Sequence, residues 1–308
     1  MKKVPLYLIL VLSGTLTTPL FPQGGGKTVI NSGRATTMGK FSFQYGILEV
    51  SVKIPKTADG LWPALRLLGS GYAENSWPGC GEIDLLEMGH SRGIEGKTQN
   101  KFFYAGAHWG ALGEDGSHPQ YEVYRTNLYG LQYGDFHLIT LVWDEGSIKM
   151  YLDRDKAPSQ GQDPRPSPAA GGPIIGADMK PYFEMDITPG LRPYFCKPFF
   201  IALDLAAGGS FTKVFTVDGV SALNRGNLNQ ASMYIDYIRV YNAAGTLIFD
   251  EEFNFPRIDT QKWNIEESPG GGRNQGLQNY RRRNVQIDKD RASGRSCLII
   301  TARKEAGS

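Results

Sequence analysis

An all-β sandwich is the fold this sequence predicts, and three observations predict it. Short runs of Val, Ile, Leu, Phe and Tyr alternate with Gly, Pro, Asn and Asp along the 308 residues. No amphipathic helical period persists anywhere. About 280 residues remain after an N-terminal leader, enough to bury a sizeable core as one undivided β-rich domain.

The elements follow in chain order. Met1-Lys2-Lys3 and the apolar run from Val4 to Leu12 resemble a secretory signal peptide, assigned to residues 1–22. The run is too short to span a bilayer securely, and an uncleaved anchor or an ordinary first strand is the alternative. Residues 23–308 are then a single domain. Strand patterns cover residues 41–54, 137–152, 199–205, 233–241 and 285–302. The stretch 157–173, rich in Pro, Gly and Ala, reads as a long surface loop. Asn242-Ala243-Ala244-Gly245 lies between two strand patterns and predicts a hairpin turn. Cys80, Cys196 and Cys297 are an odd set, which makes free buried thiols the default. A net charge of +2 argues against nucleic acid as a partner, because a phosphate-binding surface needs a strong basic excess.

One hexapeptide carries chemistry. In Glu82-Ile83-Asp84-Leu85-Leu86-Glu87, strict alternation puts Glu82 and Asp84 on one face but Glu87 on the other. A β-bulge at Leu85-Leu86 adds the one residue that returns Glu87 to the acidic face. The glutamates are then roughly 13 Å apart between Cα atoms, and converging side chains leave roughly 5 to 6 Å between carboxyls. That separation suits a retaining glycosidase: Glu82 attacks the anomeric carbon, while Glu87 protonates the leaving oxygen and later deprotonates water. Asp84, between them, is placed to hydrogen-bond Glu82 and keep one acid protonated. A solvated acidic face, or an oxygen cluster for a divalent cation, is the competing reading of the hexapeptide alone.

The flanks add a resemblance. Asn75-Ser76-Trp77-Pro78-Gly79-Cys80-Gly81 leading into Glu82–Glu87 resembles the signature of glycoside hydrolase family sixteen, in its bulged, laminarinase-like form. Ser32-Gly33-Arg34, Lys40 to Gly46, Gly60-Leu61-Trp62-Pro63-Ala64, Ala107-His108-Trp109, Asp135-Phe136-His137, Pro198-Phe199-Phe200 and Asp236 to Tyr241 resemble further family segments in the expected order. The order breaks at the carboxyl end. Leu247 to Asn254, Trp263, Asn274 to Tyr280 and Leu298 to Glu305 resemble the family's first strands, so residues 246–308 read as the usual N-terminal strands of a circularly permuted chain. A cut tandem array is the competing account.

The resemblance implies a concanavalin A-like jelly roll and a secreted or periplasmic endo-1,3-β-glucanase, acting as a monomer on laminarin-type β-glucan without a catalytic cofactor. Mixed-linkage glucan, sulphated galactan, or a noncatalytic glucan-binding role are the alternatives it leaves. Sugar contacts are expected from Trp77, Trp62, Trp109 and His108, and from Asn31, Arg34 and Asn274; Trp143 and Trp263 read as core. Two positions depart from the family: Gly276 stands where glutamate is frequent, and Asp204 where asparagine is common. Arg281-Arg282-Arg283 reads as a partly solvated strand start or as a contact for an anionic group in the groove. The resemblance also implies a structural calcium, away from the acids, held through backbone oxygens and an aspartate at the matching positions Glu252, Gly294 and Asp236.

Overall fold

In the computed structural model the described residues are 27–127, 129–154, 180–224, 229–270 and 274–307. The leader at 1–22 and the loop at 157–173 lie outside them. The strands form two sheets whose facing sides share one apolar core. The first sheet runs in the order Asn264–Ile265, Arg34–Thr36, Phe199–Ala207, Leu61–Gly69, Glu82–Met88, Phe102–His108, Gln120–Thr126. The backbone of the second is Phe183–Asp186, Ser147–Leu152, His137–Trp143, Gly46–Lys53, Gln230–Tyr241, Ser296–Ala306, Thr28–Ser32, Gln278–Tyr280. Leu247–Glu251 pairs with Gln230–Tyr241, and Val285–Lys289 with Ser296–Ala306.

Alternation decides which residues meet where. On Leu61–Gly69, Leu65 and Leu67 enter the shared core while Trp62, Arg66 and Leu68 face a groove on the opposite side. On Phe199–Ala207, Ile201, Leu203 and Leu205 are core, and Asp204 and Ala206 face the groove. Burying each aliphatic side chain is worth about 1.5–3 kcal/mol. A one-residue slip would expose that set and drive Arg66 and Asp204 into the core, so the register is fixed.

Two expected strands are hairpins. At residues 137–152 the Asp144 carboxylate accepts from the backbone of Gly146 and Ser147, both at 2.7 Å, and turns the chain. At residues 285–302 Asp290 does the same with Ser293 N at 3.0 Å, followed by Gly294 at φ +73°. The expected strand at 41–54 is confined to Gly46–Lys53.

Residues 247–306 are woven into both sheets. Ser296–Ala306 hydrogen-bonds to Gln230–Tyr241 and to Thr28–Ser32, while Asn264–Ile265 pairs with Arg34–Thr36. Asn242 to Gly245 form the expected turn, closed by Gly245 N donating to Asn242 O at 2.8 Å. The described tail is thus part of the same sandwich as Glu82.

Candidate active site

The bulge is where the hexapeptide requires it. Facing Leu61–Gly69, Arg66 pairs with Asp84 and Leu65 with Leu86, so Leu85 is the extra residue. Facing Phe102–His108 the register shifts between Asp84 and Glu87. Ile83, Leu85 and Leu86 are buried in the core, and Glu82, Asp84 and Glu87 gather on the groove side. Gly106 stands directly across from Asp84, and a Cβ there would come within 2.2 Å of the Tyr104 hydroxyl. The missing side chain leaves room for Tyr104 and His108 beside the acids.

Each acid has partners. Glu82 accepts from Trp77 Nε1 and from Arg66 Nη1 at 3.2 Å. Glu87 pairs with Arg66 Nη2 at 2.7 Å. The hydrogen bond of Asp84 goes to His108 Nε2 at 3.0 Å, which corrects the expected bond to Glu82: His108 enters from the neighbouring strand and reaches the carboxylate first. His108 also meets the Tyr104 hydroxyl at 2.7 Å and, through Nδ1, His118 Nε2 at 2.8 Å.

Burial dominates the electrostatics. It pushes the Glu82 carboxyl up, Asp84 adds to the rise, and Arg66, His108 and the Trp77 hydrogen bond oppose it; the result is about 7. Burial raises Glu87 well above the carboxylate range, with Arg66 opposing and Asp84, Glu82 and Asp204 adding. Arg66 is nearer to Glu87 than to Glu82, yet desolvation wins at Glu87. Burial would lower His108, but the Asp84 hydrogen bond and the surrounding acids lift it to about 9. Burial lifts the Cys80 thiol to about 11, so it stays neutral beside Glu82; all three cysteines are free, with Cys196 only half-buried.

The groove, about 380 Å³, is lined by Trp62, Trp77 and Glu82 together with Arg34, Asn274 and Tyr280. Four expected sugar contacts, Trp77, Trp62, Arg34 and Asn274, thus share one cavity, and His108 lies behind Trp77 at 6.0 Å between rings. Trp62 Nε1 and Asp84 Oδ1 are buried without a hydrogen-bond partner, so a donor and an acceptor stand ready near the groove floor. Trp109 and Asn31 do not belong to it. Trp109 follows His108 along the strand, faces the other way, and packs its edge on Phe195. Asn31 donates to Glu305 at 2.8 Å within the second sheet. Arg282 and Arg283 lie in a 3-10 turn, Arg282–Asn284, and Arg283 pairs with Glu305 rather than reaching the groove. Trp143 and Trp263 are buried, as expected.

Arg66 is the residue that sequence reasoning missed, and Tyr104, Tyr280 and His118 join it. A lone charge among the apolar residues Leu61–Gly69, in phase with Trp62, was the available signal.

The expected calcium residues come together only in part. Asp236 and Glu252 line a small polar pocket with Asn254 and Arg295, next to Gly294. Asp236 Oδ2 takes Arg295 Nη1 at 2.7 Å, and Glu252 takes Arg239 Nη2 at 2.5 Å. Of the expected ligands the one carboxylate, Asp236, is taken by Arg295, whose guanidinium stands in the pocket and leaves that oxygen engaged by a cation of the chain itself.

The family model described as glycosyl hydrolases family 16 matches residues 17–164. The chain is 27% identical over 225 residues to glucan endo-1,3-beta-glucosidase A1 of Niallia circulans, an alignment covering 72% of this chain and 28% of that protein. It is 29% identical over 262 residues to the beta-1,3-glucan-binding protein of Penaeus monodon, covering 72% of this chain and 66% of that one. The chain thus spans less than two thirds of either relative. Among solved structures, the Bacteroides ovatus mixed linkage glucan PUL GH16 in complex with G4G4G3G product matches with a TM-score of 0.55 and 28% identity, over 70% of this chain and 82% of that one. The bulged acidic strand, the jelly-roll sandwich and these likenesses agree: over residues 17–164 this chain is similar to glycosyl hydrolases family 16, and its sandwich is similar to that of a solved structure of the family.

Proposed function

We propose that the protein is a retaining endo-β-1,3-glucanase acting on laminarin-type glucan, with Glu82 as nucleophile and Glu87 as acid and base. The observation that carries this reading is that one guanidinium touches both glutamates. Such contact brings the two carboxyls to one side of the strand within the span of a single guanidinium, the close pairing on which a retaining mechanism depends. Glu82 attacks the anomeric carbon as Glu87 gives its proton to the glycosidic oxygen; the ionised Glu87 then takes a proton from water, whose oxygen attacks the glycosyl-enzyme. Asp84 and His108 hold the charge pattern around the pair. Trp62 and Trp77 offer aromatic surface to the pyranose rings.

The β-1,3 preference is supported by the Niallia circulans relative, whose name states that linkage. Mixed-linkage glucan is a second reading, favoured by the product bound in the Bacteroides ovatus structure. A noncatalytic role, as the Penaeus monodon name suggests, is disfavoured by all three acids being present and buried. Arg34 and Arg66 are each engaged by carboxylates of the groove, which disfavours a sulphated polymer and suits a neutral one. Residues 1–22 are read as an export signal, and the mature protein as a secreted or periplasmic monomer. Among the described residues no helix is long and apolar enough to cross a membrane. The chain order is read as a circular permutation, with residues 246–308 supplying the usual first strands.

The test is incubation with laminarin, lichenan, agarose and carrageenan, with products resolved by size and the first anomer read by proton NMR. Rapid shortening of laminarin with the β anomer appearing first is expected. An initial α anomer, or products only from the galactans, would sink the reading.

A further inference from the structure

The contacts of Arg66 go beyond what its position on a sheet requires. It is buried, with Glu82, Asp84 and Glu87 on the strand to one side and Asp204 on the strand to the other. Its fork is divided: Nη1 donates to Glu82 Oε1 at 3.2 Å and Nη2 lies 2.7 Å from Glu87 Oε1. Nε faces Asp204 Oδ1 at 3.5 Å, and both atoms are buried without a hydrogen bond. The guanidinium is thus turned toward the glutamates at the expense of its third acid. Ala202, directly across the sheet from Arg66, has no side chain long enough to compete for that space.

The other groups around it do not supply this bridge. Arg34 reaches Asp204 at 3.7 Å and Glu266 at 3.4 Å. Tyr280 donates to Asp204 Oδ2 at 3.1 Å. Tyr104 and His108 stand on the far side of the acids and serve Asp84. Arg66 reaches both glutamates, one with each terminal nitrogen.

We propose that Arg66 is a positioning residue of the hydrolytic reaction: its fork fixes the spacing of Glu82 and Glu87, and its charge sets the pH range over which the pair is ready to react. Asp204 is the counterweight that draws part of that charge away. The proposal rests on the reading of Glu82 and Glu87 as nucleophile and acid/base, and deepens it. Two carboxylates held by one rigid planar group cannot drift apart independently, and a flexible ammonium would not hold them in the same way. Opposite charge at this range favours the ionised carboxyls, so it opposes the effect of their burial. Burial and the like charge of Asp84 raise both glutamates, Asp204 adds to the rise at Glu87, and Arg66 holds that rise in check.

The experiment is the pH profile of kcat/KM on laminarin for the full chain and for Arg66→Gln, Arg66→Lys and Asp204→Asn, with Glu82→Gln and Glu87→Gln as controls. In Arg66→Gln, kcat should fall at least about tenfold and both limbs of the profile should move to higher pH by about one unit or more. Arg66→Lys keeps the charge and loses the fork, so its limbs should stay near those of the parent while kcat remains low. Asp204→Asn should move the limb that belongs to Glu87 the other way. A folded Arg66→Gln with unmoved limbs overturns the proposal whatever its activity, because a merely structural arginine would leave the profile in place. If Arg66→Gln does not fold, an unmoved profile in Asp204→Asn overturns it equally. Full activity in both glutamate controls would instead remove the reading of the acids, and the proposal with it.

Discussion

Acids meet arginines at two places in this molecule, in different proportions. In the groove, Glu82, Asp84, Glu87 and Asp204 are all buried, and three of them crowd one guanidinium, Arg66. On the other sheet Asp236 has Arg295, while Arg239 is met by Asp250 and Glu252, which are partly exposed. A buried surplus of carboxylate must hold protons, and a group that holds a proton near neutrality can give it away. Where the acids beside a cation are partly exposed, their charge is eased by solvent and the pair only pins strands together. The imbalance, rather than the number of charges, separates a site from a clasp.

Removing a member of the surplus is the strongest way to test that contrast. Glu82→Gln should lower kcat/KM on laminarin by at least about 10⁴ with binding and fold intact, since a nucleophile is lost. Glu87→Ala should lose about 10²–10⁴, recovered in part by azide or by a substrate with a good leaving group. Turnover surviving both changes would erase the distinction between the two regions.

A second test asks whether the regions are separable at all. Asp250, Glu252 and Arg295 lie in the tail, and the same tail reaches the groove through Asn274 and Tyr280. Deleting residues 246–308 strips Gln230–Tyr241 of its pairing with Ser296–Ala306 and exposes Ile235 and Val240, both fully buried. The product should be insoluble and inactive; a soluble, active chain of residues 1–245 would break the picture of one sandwich.

The surplus should also appear as a stability cost. Glu82 rises from 4.5 unfolded to about 7 folded, so between these values the native state binds more protons. Its contribution is fully present below the unfolded value and is lost as pH rises through the folded one. Glu82→Gln should therefore raise stability at pH 8 by an amount on the order of 1–3 kcal/mol, and by little at pH 4. Thermal melts across this range check it, and a gain that did not grow with pH would contradict the assignment.

The smallest effects belong to the matched region. Arg295→Ala should cost about 1 kcal/mol in denaturant unfolding, because its pair with Asp236 is only partly shielded. A chelator should leave the melting temperature of the parent chain unchanged. A fall on chelation, restored by calcium, would reinstate the divalent site that Arg295 now argues against.

How much of this was legible in the sequence varied with the kind of signal. The bulge was readable because three acids and three aliphatics cannot satisfy strict alternation without an extra residue. Trp77 was readable from its place just upstream of the acids. Trp109 was misread for a reason the strand itself supplies: neighbours on a strand face opposite sides, and His108 already faces the groove. Asn31 failed because Glu305, its partner, is 274 residues away in the chain and invisible to local pattern. Arg66 escaped because its role needs Glu82, Glu87 and Asp204 together, on strands that only tertiary pairing brings side by side.

The two ends of the described chain are laid against each other. Lys27 O accepts from Gly307 N at 2.9 Å, and Thr28 to Asn31 stand across from Ala306 to Arg303 in an antiparallel ladder. Ladder bonds of this kind run perpendicular to their strands. A pull on both ends would therefore load them one at a time, from the outermost inward, instead of all together in shear. Tethered by its ends, the molecule is a zipper: tension would open residues 27–31 and 303–307 first, while the Glu82 strand, in the opposite sheet, stayed unloaded until that seam had parted.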